Sequence, residues 1–285
     1  MKKIINLMVM LGAVCGFTAC DLEITPDTAI AGKDAAHLKY VSALRNGIYN
    51  NMTTVTAYSN LVNTEYYTDL FNETINSGNR GGFFSRWNLH ADDQDILKLW
   101  TNYYTTILQV NYALEKAALA IEQEPENAEE LKLYMGEMYF VRAYMIHQLA
   151  LRFCEDYDPD RADAQLGVPC PVEYAPGAQL PRGTLAQTYA RITEDIKSAE
   201  GLVTTQGSQN SKYITVDAIT AFKAQVALQM HDYDNAIAYA SSLYSKYPLV
   251  DTREGLENLW LQGTCTETIM QLEVTRNTYN LIGAT

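Results

Sequence analysis

From Leu131 to Phe153 the chain reads LKLYMGEMYFVRAYMIHQLALRF, with no proline and a single glycine. Apolar residues at Met135, Met138, Tyr139, Met145, Ile146, Leu149 and Phe153 recur every three or four positions, which places them on one helical face. Phe140, Tyr144 and Leu151 supply a second face, so the helix is apolar nearly all round. A helix of that kind is enclosed by other helices instead of lying at an edge. Gly136, Ala143 and Ala150 repeat every seven residues and form a groove where another backbone can approach. Glu137 and Arg142 fall inside the same stretch and need partners once buried. For Glu137 the candidates are Arg142 or a cation on a neighbouring helix.

The other periodic segments read as what packs around this rod. Asp34 caps a predicted helix to Asn50 with Leu38, Val41, Leu44 and Ile48 inward. Leu61 to Leu70 continues helically. Asp92, Asp93 and Asp95 directly precede Ile96, Leu99, Trp100, Tyr103 and Ile107. They read as a helix cap complementing the dipole, because a calcium loop would space its ligands around a glycine turn. That helix stops at Pro125, and a cap near Asn127 starts the next. Five of the eight prolines lie between Cys154 and Arg182, which forbids a helix there and predicts a stiff connection over the surface. Further helices are expected from Gly183-Thr184 to Leu202, from Val216 to Met230, and from Asp234 to Tyr247. Thr268 to Val274 alternates like a β-strand. The expected architecture is all-α, an irregular tetratricopeptide-like solenoid with one short strand near the C-terminus. Two partial repeat units support it. His231-Asp232-Tyr233, Ala236 and Pro248 follow Ala224 in one, and Ala113, Ala120 and Pro125 mark the other.

The first residues are a targeting segment. Lys2 and Lys3 precede the apolar run Ile4 to Val14, too short for a permanent span. Ala19-Cys20 then fits a bacterial lipoprotein cleavage site, which predicts a signal peptide over 1–19 and Cys20 lipidated, palmitate included. Residues 20–33 hold Pro26 and Gly32 without periodicity and read as a tether. A domain follows over 34–250 with loop insertions at 71–91 and 154–183. The formal net charge is −13, and a surface that acidic, without a basic run, disfavours nucleic acid. Of the three cysteines after Cys20, Cys154 and Cys170 bracket a loop and form the expected disulfide.

No catalytic constellation, metal cluster or cofactor motif is present, so the chain is read as a non-enzyme without cofactor. Binding is better supported. Sugar rings present apolar faces that stack on aromatics, and their hydroxyls take up amide and charged partners. The 71–91 loop joins Asn79, Arg80, Phe83, Phe84, Trp87 and Asn88 in a stretch otherwise unable to form a core. The competing expectation is that Phe84 and Trp87 pin the loop onto the helices.

Several of these segments resemble one family. Gly136-Glu137-Met138-Tyr139-Phe140-Val141-Arg142-Ala143-Tyr144 resembles the GEAYFLRAY segment of the SusD/RagB family of outer-membrane nutrient-uptake lipoproteins. Trp100-x-x-Tyr103-Tyr104-x-x-Ile107-x-x-x-Asn111 is similar to the family's first long helix. Leu166-Gly167-Val168-Pro169 is similar to its LGVP turn, and Pro181-Arg182-Gly183-Thr184 to its PRxT helix start. Asp195-Ile196-x-x-Ala199 and the HDYDNAIAYA stretch follow in the same order. The resemblance implies a surface-exposed lipoprotein that serves a SusC-like TonB-dependent transporter with oligosaccharide or polysaccharide. It also implies that 251–285 begin a C-terminal region whose greater part is absent here. A protein scaffold without glycan binding, or a truncated remnant, is the alternative expectation.

Overall fold

The computed structural model describes residues 36–56, 65–68, 85–90 and 92–273. The signal peptide, Cys20, the tether and Asp34 lie outside them. Seven α-helices occur among the described residues: α1 (Leu38–Thr56), α2 (Gln94–Gln123), α3 (Ala128–Phe153), α4 (Leu185–Leu202), α5 (Val216–Gln229), α6 (Tyr233–Leu243) and α7 (Arg253–Gln262). The all-α, tetratricopeptide-like expectation holds.

α3 is the enclosed rod. Leu131, Met138, Met145, Ile146 and Leu149 are fully buried, and so are their polar neighbours Glu137 and Arg142. α4 and α2 flank it, and α1 closes a third side against α2 and α3. The predicted groove is used at its first glycine. A Cβ on Gly136 would lie 2.8 Å from Val203 Cγ2 and 2.9 Å from Leu202 Cβ, so the end of α4 crosses where only hydrogen fits.

Both buried charges find partners on other helices. Glu137 takes the guanidinium of Arg45 on α1, with Arg45 Nη2 donating to Oε1 at 2.7 Å and Nε donating to Oε2. Arg142 instead forms a two-pronged pair with Asp195 on α4, both bonds at 2.7 Å. Burial pushes the Glu137 carboxyl up, opposed by Arg45. Planar guanidinium–carboxylate forks of this kind bring two unlike charges inside with their hydrogen bonds made.

The caps follow sequence chemistry with two exceptions. Asp93 accepts from Asp95 N at 2.9 Å and from Ile96 N, as expected of a cap and not a cation ligand. Thr184 and Gln187 form a reciprocal capping box on α4, while Thr215 and Asp232 cap α5 and α6. At α3 the expected cap residue Asn127 makes no side-chain bond to the helix and donates to Glu124 Oε2 at 3.1 Å instead. At α1 Leu38 N donates to Glu124 Oε2 at 2.9 Å, so the end of α2 caps it from a distance. α5 and α6 meet across the tight turn Met230–Asp232, where His231 takes a left-handed backbone with φ 61°.

The C-terminal region departs from expectation twice. A strand is expected over Thr268–Val274; among its described residues, 268–273, a single parallel bridge joins Met270 to Ser211. Gln271 N donates to Ser211 O at 2.9 Å and Asn210 N to Thr268 O at 2.7 Å. On the side before Ser211 the partner segment turns at Asn210, whose φ is 61°. Before it comes α7, absent from the sequence reading. Thr252 caps it and Gly263 ends it at φ 65°.

Candidate functional site

Trp87 stands in the described part of the aromatic loop. It is 69% exposed, and its backbone sits at φ 52°, a region that bulky L-residues avoid at a penalty of roughly 1–2 kcal/mol. Its ring meets that of Tyr67, centroids 5.5 Å apart and tilted by 57°. Trp87 therefore does not pin the loop into a core; it is held outward on a second ring. Asn88 beside it is also exposed. Asn79, Arg80, Phe83 and Phe84 lie outside the described residues. Burial raises the Tyr67 hydroxyl pKa, with Arg152 pulling against it and Asp93 adding to it. Those neighbours place the platform where α2 begins and α3 ends.

A cavity of about 780 Å³ opens along the first turns of α2. Trp100, Tyr104 and Leu108, one turn apart on one face, form one wall, and the proline-rich segment 169–180 forms the other. Trp100 is fixed by Tyr104, with centroids at 4.8 Å, and edge-on by Phe153 at 4.9 Å. Tyr112 meets Tyr174 of the opposite wall at 4.8 Å. The lining is mostly apolar, with Glu173 and Gln179 as its polar members. An aromatic cleft with a few polar groups suits a ligand with one apolar face and one hydroxylated face.

What holds the proline-rich wall is a buried polar network. Asn111 Nδ2 donates to Pro171 O at 3.1 Å and to Glu173 O at 3.0 Å. Arg142 Nη1 donates to Asn111 Oδ1 at 2.8 Å and to Val172 O at 3.4 Å, while its other prongs engage Asp195. Asp195 Oδ1 also accepts from Arg191 Nη2 at 2.7 Å. Tyr104 donates its hydroxyl to Pro169 O at 2.8 Å. The lower end of the wall is stapled by Gly167 N to Gly183 O and Leu185 N to Gln165 O, each 2.8 Å. The connection predicted to be stiff and to run over the surface is fastened to three helices.

The expected disulfide is not formed. Cys154 and Cys170 are free thiols. Cys170 Sγ donates to Val168 O at 3.3 Å, and Cys154 Sγ accepts from Arg182 Nη2 at 3.7 Å. Each sulfur has its own partner, and burial pushes both thiols up, Cys170 to about 11, which disfavours the thiolate needed for exchange.

Sequence reasoning singled out Trp87 and Asn88, both exposed in the structure, but did not anticipate the cavity. The signal was present in the spacing of Trp100, Tyr104 and Leu108, of which only Trp100 entered the apolar run read for this helix. It was also present in the apolar Val172, Tyr174 and Leu180 among the prolines.

Residues 22–228 match the SusD-like family described as starch-binding and associating with the outer membrane. No curated protein matches the chain. Among solved structures, the fold is similar to a SusD superfamily protein from Bacteroides thetaiotaomicron, with TM-score 0.70 and 22% identity over 85% of this chain and 54% of that one. It is similar to a surface glycan-binding protein A from Bacteroides fluxus, with TM-score 0.63 and 19% identity over 82% of this chain and 50% of that one. A SusD-like carbohydrate binding protein from Bacteroides vulgatus gives TM-score 0.61 and 16% identity over 76% of this chain and 47% of that one. The chain spans about half the length of these solved structures.

Proposed function

Because the chain belongs to the SusD-like family, we propose that it is a lipid-anchored outer-membrane protein that holds an oligosaccharide or polysaccharide for a SusC-like TonB-dependent transporter. Cys20 carries the acyl chains on the outer face of the cell, each buried methylene contributing about 0.8 kcal/mol of anchoring. The helical domain presents the sugar and performs no chemistry on it.

The observation that best supports glycan binding is Trp87, an exposed indole on a left-handed backbone, backed by Tyr67. A ring held outward against conformational preference is costly to keep unless it is used. Trp87→Ala should keep the melting temperature and weaken binding to soluble starch and to a panel of plant and host polysaccharides. Unchanged affinity across a panel that the parent protein binds would remove Trp87 from the site. Loss of lipid-precursor labelling in Cys20→Ala tests the anchor.

One feature favours the scaffold alternative. Leu228, Tyr233 and Ile237 are exposed along the α5–α6 hairpin and line an apolar groove. Recovery of a porin-sized partner by a protein that binds no glycan would favour that reading.

A further inference from the structure

A second cavity lies against α1 and shares no lining residue with the cavity under the proline-rich wall. Its volume is about 360 Å³, and Asn46, Tyr49 and Asn50 on one face of α1 oppose Tyr213 of the loop before α5. Tyr213 is 48% exposed, yet its ring is fixed. The Arg45 guanidinium lies 4.2 Å from its centroid and Tyr49 meets it edge-on at 5.4 Å and 90°. Arg45 is itself locked by Glu137 and covered by Tyr134 at 4.6 Å. Tyr49 accepts from Ile214 N at 2.9 Å, which pulls the loop onto α1. The aromatic wall is therefore preorganised by a buried ion pair.

The polar groups around it are unspent. The Asn46 and Asn50 amides are exposed one turn apart, and no hydrogen bond among the described residues engages either. The charges at the rim cancel, since Lys212 Nζ meets Glu273 Oε1 at 3.1 Å. A chain of net charge −13 offers no field to draw in an anion. What remains is a fixed tyrosine ring, two free amides, each both donor and acceptor, and no net charge.

We infer that this cavity is a second carbohydrate subsite, taking one neutral pyranose unit with its apolar face on Tyr213 and its hydroxyls on Asn46 and Asn50. The sugar class follows from the glycan-binding proposal above; the location does not depend on Trp87.

The test is a titration of the full chain, with asparagine side-chain nitrogens labelled, against methyl α-glucopyranoside, methyl β-glucopyranoside, methyl β-galactopyranoside and methyl α-mannopyranoside. At least one sugar should shift the Asn46 and Asn50 amide signals saturably. The shift should persist in Trp87→Ala, and Tyr213→Ala should weaken it by about tenfold or more, as truncating an aromatic anchor does. Tyr213 touches the Arg45 pair, so Asn50→Leu, a change at an exposed helical position, serves as a second variant and should weaken it likewise. Amide signals that no sugar moves, or shifts equal in all variants, overturn the subsite. If polysaccharide binding still depends on Trp87 in that case, the primary proposal survives. If the parent protein binds no glycan in either assay, both fall.

Discussion

Acidification from about pH 7.5 to about pH 5 should destabilise the fold by about 2 kcal/mol through His147 alone. His147 sits in the middle of α3 at 0% exposure, with neither ring nitrogen hydrogen-bonded. Its ring lies between Tyr189, edge-on at 6.1 Å, and Phe222 at 5.4 Å. Burial, with a smaller push from Arg152, lowers its pKa from 6.5 to about 4. The unfolded chain therefore takes up a proton as pH falls below about 6.5, while the folded chain resists until about 4. Stability is fully present above the unfolded value and is eroded between the two, reaching about 3 kcal/mol of loss below both at roughly 1.4 kcal/mol per pH unit. The comparison is between the parent protein and His147→Leu, similar in volume and unable to titrate. Urea unfolding at both pH values gives four free energies. At the higher pH the variant should match or exceed the parent, because an unpaired buried imidazole is replaced by an apolar group. At the lower pH its advantage should grow by about 2 kcal/mol, other titrations cancelling in the difference. A gap between the two proteins that does not change with pH would refute the reasoning.

Gly136→Ala should lower stability by about 1–3 kcal/mol in denaturant unfolding despite alanine's better helix propensity, because its methyl meets Leu202 and Val203. Asp195→Asn leaves the Arg142 charge uncompensated in the core and should lower stability by roughly 3–5 kcal/mol. Hydrogen exchange should also speed up across 171–180, where Arg142 and Asn111 hold the chain. Trp87→Gly should raise stability by up to about 1 kcal/mol by releasing the left-handed strain, while polysaccharide binding falls. Thiol titration of unreduced, denatured protein should find Cys154, Cys170 and Cys265 all reactive; a result short by two would restore the disulfide.

The central rod was legible because its evidence is local. Twenty-odd residues without a breaker leave few alternatives to a helix, and a helix apolar on every side leaves few places to put it. The cap at Asp93 and the helix start at Thr184 were readable for the same reason, whereas the cap expected near Asn127 makes no side-chain bond to its helix. The partners of Glu137 and Arg142 were not, because Arg45 and Asp195 are far away in sequence and only the packing of α1 and α4 brings them in. The strand failed for a related cause. TIMQLEV alternates as a strand should, but a strand exists only where a partner stays extended beside it, and on the side before Ser211 that partner turns at Asn210. α7 is short and leaves Trp260 80% exposed, so it lacked the buried stripe that marks a helix in sequence. At the candidate site, the aromatics of the loop were legible by type, whereas the cavity beneath 169–180 arises from a wall whose attachment is made through its main chain.

That attachment has an evolutionary consequence. Asn111, Arg142 and Tyr104 grip the wall only by carbonyl oxygens, of Pro169, Pro171, Val172 and Glu173, and every amino acid offers a carbonyl, proline included. Side chains from 172 to 180 can therefore be exchanged without loosening the clamp. A lineage could retune which ligand the cleft accepts by point changes in this stretch, leaving the chassis beneath it untouched.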